Sequence, residues 1–170
     1  MTDEGSQASL LFLHGAGGFR EDAPLAERLA ESVGMRLVMP MLSDDDDMTF
    51  DGWAVPVRQA LRELRPADLV VGHSFGASIL VKLLAEGGWS IARAVLLAMP
   101  NWGPAGWDVE EYALHAPGPS VPLVLHHCAD DEVVPLAHLA LNRTDLPTAE
   151  YQVHGRGGHQ FDGLTSTLLL

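Results

Sequence analysis

The stretch Asp68-Leu69-Val70-Val71-Gly72-His73-Ser74-Phe75-Gly76-Ala77-Ser78-Ile79-Leu80-Val81-Lys82-Leu83-Leu84-Ala85-Glu86 changes its structural period once, at a serine. Leu69–Val71 is an unbroken apolar run, the signature of a strand buried on both faces. From Phe75 to Glu86 only Ser78, Lys82 and Glu86 are polar, four residues apart. That spacing predicts a mostly buried helix with one narrow wet face. The change from strand to helix falls within Gly72-His73-Ser74-Phe75-Gly76. A serine on so sharp a turn is strained and has its hydroxyl exposed. Gly72 and Gly76 lack side chains, which lets the strand and helix approach. The helix that follows aims its first N–H groups at any oxyanion formed there.

The same alternation extends in both directions. Further short apolar runs occur at Ser9–His14, Arg36–Met39, Ala94–Ala98 and Pro122–His126, with a weaker one at Glu150–His154. Between them lie helical patterns. Leu25, Ala26, Leu29, Ala30 and Val33 share one face, with Pro24 near the start and Gly34 as the stop. Trp53, Val57, Leu61 and Leu64 form a second stripe, and Pro56 either begins or kinks that helix. Strand–helix alternation of this kind predicts an α/β fold: a three-layer sandwich around a mostly parallel sheet of about six strands. No repeat and no linker divides residues 1–170, so one domain is expected.

In such a sheet chemistry belongs at the carboxyl ends of the strands. After the first strand comes His14-Gly15-Ala16-Gly17-Gly18, and after the third comes Ser74 on its turn. After the fifth comes Ala129-Asp130-Asp131-Glu132-Val133-Val134-Pro135, and after the sixth Gly155-Arg156-Gly157-Gly158-His159. A serine, an acid and a histidine therefore occupy three strand ends in that order.

These residues resemble those of α/β-hydrolases. The similarity is greatest to the short, capless serine-hydrolase branch that includes the retinoblastoma-binding-protein-like and YdeN-like proteins. The motifs that carry it are His14-Gly15, Gly72-His73-Ser74-Phe75-Gly76, Asp131-Glu132-Val133-Val134-Pro135 and Gly158-His159, which span nearly the whole chain. The resemblance implies strand order 2-1-3-4-5-6 and a Ser-His-Asp catalytic triad. In it Ser74 would be the nucleophile and His159 the general base. Asp131 would orient His159 and stabilise its cationic form. The backbone N–H groups of Phe75 and Ala16 would form the oxyanion hole. The implied activity is cleavage of a small carboxylic ester or thioester through an acyl-enzyme. A hydrolase-fold protein-binding module is the alternative, because fold does not fix function.

Several residues compete for these roles. Asp130 adjoins Asp131, but the pattern of an acid followed by one residue, two aliphatics and proline fits Asp131. Of the later histidines, His138 falls in a predicted helix and His154 at a strand end, whereas His159 lies in a glycine-rich loop able to reach a neighbouring strand. His73 reads as a packing or locally bonded residue, and His14 as a structural donor. Trp102 and Trp107 follow the fourth strand. They either seal the core or, for Trp102, border an acyl pocket. Met41 and Leu42, after the second strand, are further pocket candidates.

Composition bounds the rest. The 170 residues suffice for one core that buries roughly 70% of the unfolded surface. Asp plus Glu number 23 against 10 Lys plus Arg, a net charge of −13, which argues against nucleic-acid and anionic-membrane partners. The lone Cys128 forms no intrachain disulfide and reads as a small buried residue. His126 and His127 are adjacent on a strand and point to opposite faces, so they cannot share a metal. No metal or other cofactor is expected. The run Asp44–Asp47 reads as a solvated loop without EF-hand spacing. No apolar run approaches the ~18 residues of a membrane span, and the polar N-terminus is unlike a secretory leader, so a cytoplasmic location is expected.

Overall fold

The computed structural model describes residues 7–42 and 46–170. Asp44 and Asp45 of the acidic run and nearly all of the polar N-terminus thus lie outside the described residues. The strands are β1 (Ser9–Leu13), β2 (Arg36–Val38), β3 (Leu69–His73), β4 (Ala94–Leu97), β5 (Leu123–Cys128) and β6 (Glu150–His154). The helices are α1 (Ala23–Ser32), α2 (Phe50–Arg62), α3 (Phe75–Ala85) and α4 (Ala137–Asp145). The strands form one parallel sheet in the order β2-β1-β3-β4-β5-β6. Both the α/β class and the order expected from the resemblance are therefore observed.

Side-chain alternation along the strands builds the two outer layers. On β1, Leu11 and Leu13 point to the face covered by α2 and α3, where Trp53, Val57, Ile79 and Leu83 pack. Leu10 and Phe12 point to the opposite face, against Leu25, Leu29 and Phe161. β3 and β4 alternate in the same way, with Val70 and Leu96 on one side and Val71 and Leu97 on the other. Burial on both faces removes polar positions from the central strands. β6 is an edge strand and is largely exposed, which explains its weaker apolar pattern.

Two details depart from the sequence reading. Of the two placements open to Pro56, the helix start is excluded, because Pro56 lies inside α2. α2 starts at Phe50, where the side chain of the N-cap Thr49 accepts the Gly52 N–H at 3.1 Å, and it runs through Pro56. The polar stripe of α3 is not a wet face. Ser78 is buried and accepts the Trp102 Nε1–H at 2.7 Å, and Lys82 Nζ donates to the Ala113 carbonyl at 2.7 Å. The segment after β4 lies over the stripe and uses its polar atoms.

Candidate active site

The turn from β3 into α3 holds Ser74 at φ 52° and ψ −121°, a left-handed conformation that costs a non-glycine residue on the order of 1–3 kcal/mol. Its geometry explains both flanking glycines. A methyl group on Gly72 would lie 2.6 Å from the Cα of Ala77 in the first turn of α3. One on Gly76 would lie 2.4 Å from the carbonyl oxygens of both Leu13 and His14. Gly72 thus lets α3 fold back on β3, and Gly76 seats α3 against the end of β1.

The loop after β1 approaches Ser74 from the side. A Cβ on Gly15 would lie 3.1 Å from that of Ser74. The Gly15 N–H already donates to Asp22 Oδ2 at 2.8 Å and so does not point to the cleft. Ala16 is next, and both Ala16 and Phe75 line the cleft above Ser74. His14 shapes the loop without entering the cleft. Its Nδ1–H donates to the Gly15 carbonyl at 2.7 Å while Nε2 accepts the Leu42 N–H at 3.0 Å.

Asp131 and His159 meet directly. His159 Nδ1 lies 2.9 Å from Asp131 Oδ2 and 3.1 Å from Oδ1, which directs the Nδ1 proton to the carboxylate and leaves Nε2 free to exchange one. Asp131 Oδ1 also accepts the N–H groups of Val133 and Val134 at 2.8 and 2.9 Å. Burial pushes the Asp131 carboxyl up, but the His159 hydrogen bond and these backbone donors outweigh it and hold it below the ordinary range. Asp130, the competing acid, has a different task. Its carboxylate accepts the Gly157 and Gly158 N–H groups at 3.3 and 2.9 Å and so fixes the loop carrying His159.

Several other histidines have hydrogen-bond partners outside the Asp131–His159 pair. His138 Nδ1 accepts the Asn101 N–H at 2.9 Å, His154 Nε2 meets His126 Nδ1 at 2.9 Å, and His127 Nε2 donates to the Val134 carbonyl at 2.8 Å. Cys128 is fully buried, and burial pushes its thiol up to about 12. Among the described residues no group of three His, Cys, Asp or Glu side chains could hold a metal ion, and no helix is long and apolar enough to cross a membrane.

Ser74, Phe75, Ala16 and His159 all border one cleft of about 300 Å³. No hydrogen bond joins Ser74 Oγ to His159 among the described residues. The cleft brings in Trp102, as the sequence suggests, together with Met48, Trp107, Tyr112 and Val133, which that reading did not assign to a pocket. Trp102 both packs on the core and forms cleft wall, its ring 5.7 Å from Phe75 and 4.9 Å from Tyr112. Met41 and Leu42 are not among the lining residues. Met41 is 68% exposed, and Leu42 is buried in the core cluster that includes Trp53. A larger groove of about 490 Å³ beside Arg58 and Trp89 is lined by none of the candidate residues.

No family model matches the chain, and no curated protein matches it by sequence. Solved structures do match its shape. An α/β-hydrolase enzyme from a Medee basin deep-sea metagenome library superimposes with a TM-score of 0.68 at 22% identity, covering 97% of this chain and 74% of its own. A protein assigned as a YdeN-like hydrolase from Pectobacterium atrosepticum gives 0.68 at 16% identity, over 91% of this chain and 80% of its own. A methylesterase from Arabidopsis gives 0.71 at 17% identity, over 95% of each chain. With its six parallel strands in the order 2-1-3-4-5-6, the chain has the α/β-hydrolase fold.

Proposed function

We propose that this protein is a serine hydrolase that cleaves a small carboxylic ester or thioester through an acyl-enzyme. The observation that carries this reading is the left-handed backbone of Ser74, on a turn cleared by two glycines, in the cleft that also receives the Asp131-bound His159. Ser74 Oγ attacks the carbonyl carbon and its proton passes to His159 Nε2. Asp131 keeps the other ring nitrogen protonated and stabilises the imidazolium that forms. The N–H groups of Phe75 and Ala16 bind the oxyanion. His159 then returns the proton to the departing alcohol or thiol. Water, deprotonated by the same ring, releases the acid and restores Ser74. For this cycle the imidazole must close on the Ser74 hydroxyl, a contact that commonly tightens only with substrate bound.

The cleft supports a small substrate. Its wall of Met48, Phe75, Trp102, Trp107 and Val133 offers apolar contact to an acyl group. The chain needs no cofactor for this chemistry. Fluorophosphonate labelling tests the reading. Ser74 is expected to be modified in the folded protein, and Ser74→Ala is expected to lose both labelling and ester turnover. Turnover surviving in Ser74→Ala would overturn the assignment. A folded wild-type protein that neither labels nor turns over esters would point to a binding module instead.

A further inference from the structure

Asp22 stands at the N-cap of α1, where an aspartate ordinarily accepts an N–H from the first turn. Here its side chain makes no such bond. The carboxylate faces inward, with Asp22 only 2% exposed. Oδ2 accepts the Gly15 N–H at 2.8 Å and meets His73 Nδ1 at 2.8 Å, and Oδ1 accepts the Gln160 Nε2–H at 2.9 Å. The opposite nitrogen of His73, Nε2, lies 2.8 Å from the His159 carbonyl oxygen. His73 is 1% exposed. Both of its ring nitrogens face oxygens of other residues, so the ring bridges Asp22 to the loop that carries His159.

One carboxylate therefore ties together three loops far apart along the chain. Gly15 precedes Ala16, the proposed oxyanion donor. His73 precedes Ser74. His159 and Gln160 belong to the loop that supplies the proposed base. Burial pushes the Asp22 carboxyl up, but the His73 bond and charge, the Gly15 N–H and the Gln160 amide together hold it at about 2. The anion is thus the form these donors select.

We propose that Asp22, acting through His73, is a positioning residue that fixes the spacing of oxyanion donor, serine and histidine. The proposal rests on the serine-hydrolase reading above. Asp22 borders the same cleft, but its carboxylate oxygens are taken up by Gly15, His73 and Gln160. Its contribution is to hold the three loops in register, and a misplacement of about 1 Å among such groups costs on the order of 10² in rate.

The test compares wild type, Asp22→Asn, Gln160→Leu and Ser74→Ala with p-nitrophenyl acetate as the probe. It reads kcat and KM, with melting temperature measured alongside. Asparagine keeps the volume of Asp22 but turns an N–H donor toward donors that were paired with oxygen. Asp22→Asn is expected to lower kcat about 10–100-fold with KM within about 3-fold, because binding is kept and alignment is lost. Gln160→Leu cuts one of the ties and is expected to lower kcat about 3–10-fold. A folded Asp22→Asn with wild-type kcat would overturn the proposal. So would a loss explained wholly by a smaller folded fraction, counted by fluorophosphonate titration. Should Asp22→Asn fail to fold, Gln160→Leu decides, and an unchanged kcat there overturns it. Turnover in Ser74→Ala is a separate result: it removes the hydrolase reading and this proposal with it.

Discussion

Gly76 sits so close beneath the end of β1 that a methyl group on it would fall 2.4 Å from the Leu13 carbonyl oxygen. The obstacle is backbone in a central strand, so it cannot swing aside as a side chain can. Gly76→Ala is expected to cost about 1–3 kcal/mol through overpacking and to displace α3 from β1. Gly155 is the control: its Cβ would meet nothing within 4 Å, and its φ is not positive. Gly155→Ala should stay within about 0.5 kcal/mol of wild type. Urea unfolding of both variants checks this, and equal midpoints would refute the packing account.

The two neighbouring acids should separate kinetically. Asp131→Asn retains an oxygen for the Val133 and Val134 N–H groups, so the loop stays folded, but it cannot hold His159 in the required tautomer. A fall in kcat of about 10⁴ is expected. Asp130→Asn keeps an acceptor for the Gly157 or Gly158 N–H and touches His159 only through the chain. Its kcat should fall no more than about 10-fold. Ester hydrolysis by the two purified variants decides, and the reverse order would transfer the orienting role to Asp130.

The contrast between these acids marks how far the sequence can be read. The near-continuous apolar runs at Leu10–Leu13 and Val70–Val71 announce a sheet covered on both sides, because burial on two faces removes every polar position. The elbow is legible for a similar reason, since Gly72 and Gly76 answer to backbone contacts made within one turn and its neighbouring strand. What periodicity does not reveal is what closes over long separations. Asp22 carries no signal in the sequence, yet it meets Gln160 across 138 positions and His73 across 51. Ser78 and Lys82 read as a wet face because their partners, Trp102 and Ala113, lie in an irregular segment with no period. Met41 follows a strand end, as site residues do, but the chain there turns its side chain to solvent.

Acid should weaken the fold through His126. Burial, then the charges of His154 and Arg93, lower it from 6.5 to about 4. A histidine whose folded pKa lies below its unfolded one gives stability that is complete above the unfolded value and is lost as pH falls toward the folded one. The window is therefore about pH 6.5 to 4, and the loss at its lower end is on the order of 3 kcal/mol. Asp22 acts in a lower window. Its stabilisation is present above the ordinary carboxyl value of 3.8 and fades only as pH falls toward about 2. Urea unfolding at pH 7.5 and pH 5 should show the loss in wild type and a flatter dependence in His126→Leu. An equally steep dependence in that variant would rule out His126 as the source.

Trp107 should set acyl-chain preference with little effect on stability. It lines the cleft while 41% exposed, and its ring lies 5.0 Å from that of Trp102. Trp102 is anchored to Ser78 and packed among Phe75, Tyr112 and Trp107, so truncating it would confuse folding with specificity. Removing the Trp107 ring leaves the core intact and withdraws apolar surface from the outer part of the cleft. Each substrate methylene that loses such a contact forfeits about 0.8 kcal/mol, roughly a 4-fold change in affinity. Trp107→Ala is therefore expected to raise KM about 4-fold or more for butyl and longer acyl esters while acetyl esters are unchanged. Met41→Ala, outside the cleft, should match wild type across the series. If acetyl and octanoyl esters shift equally in Trp107→Ala, the ring does not contact the acyl chain.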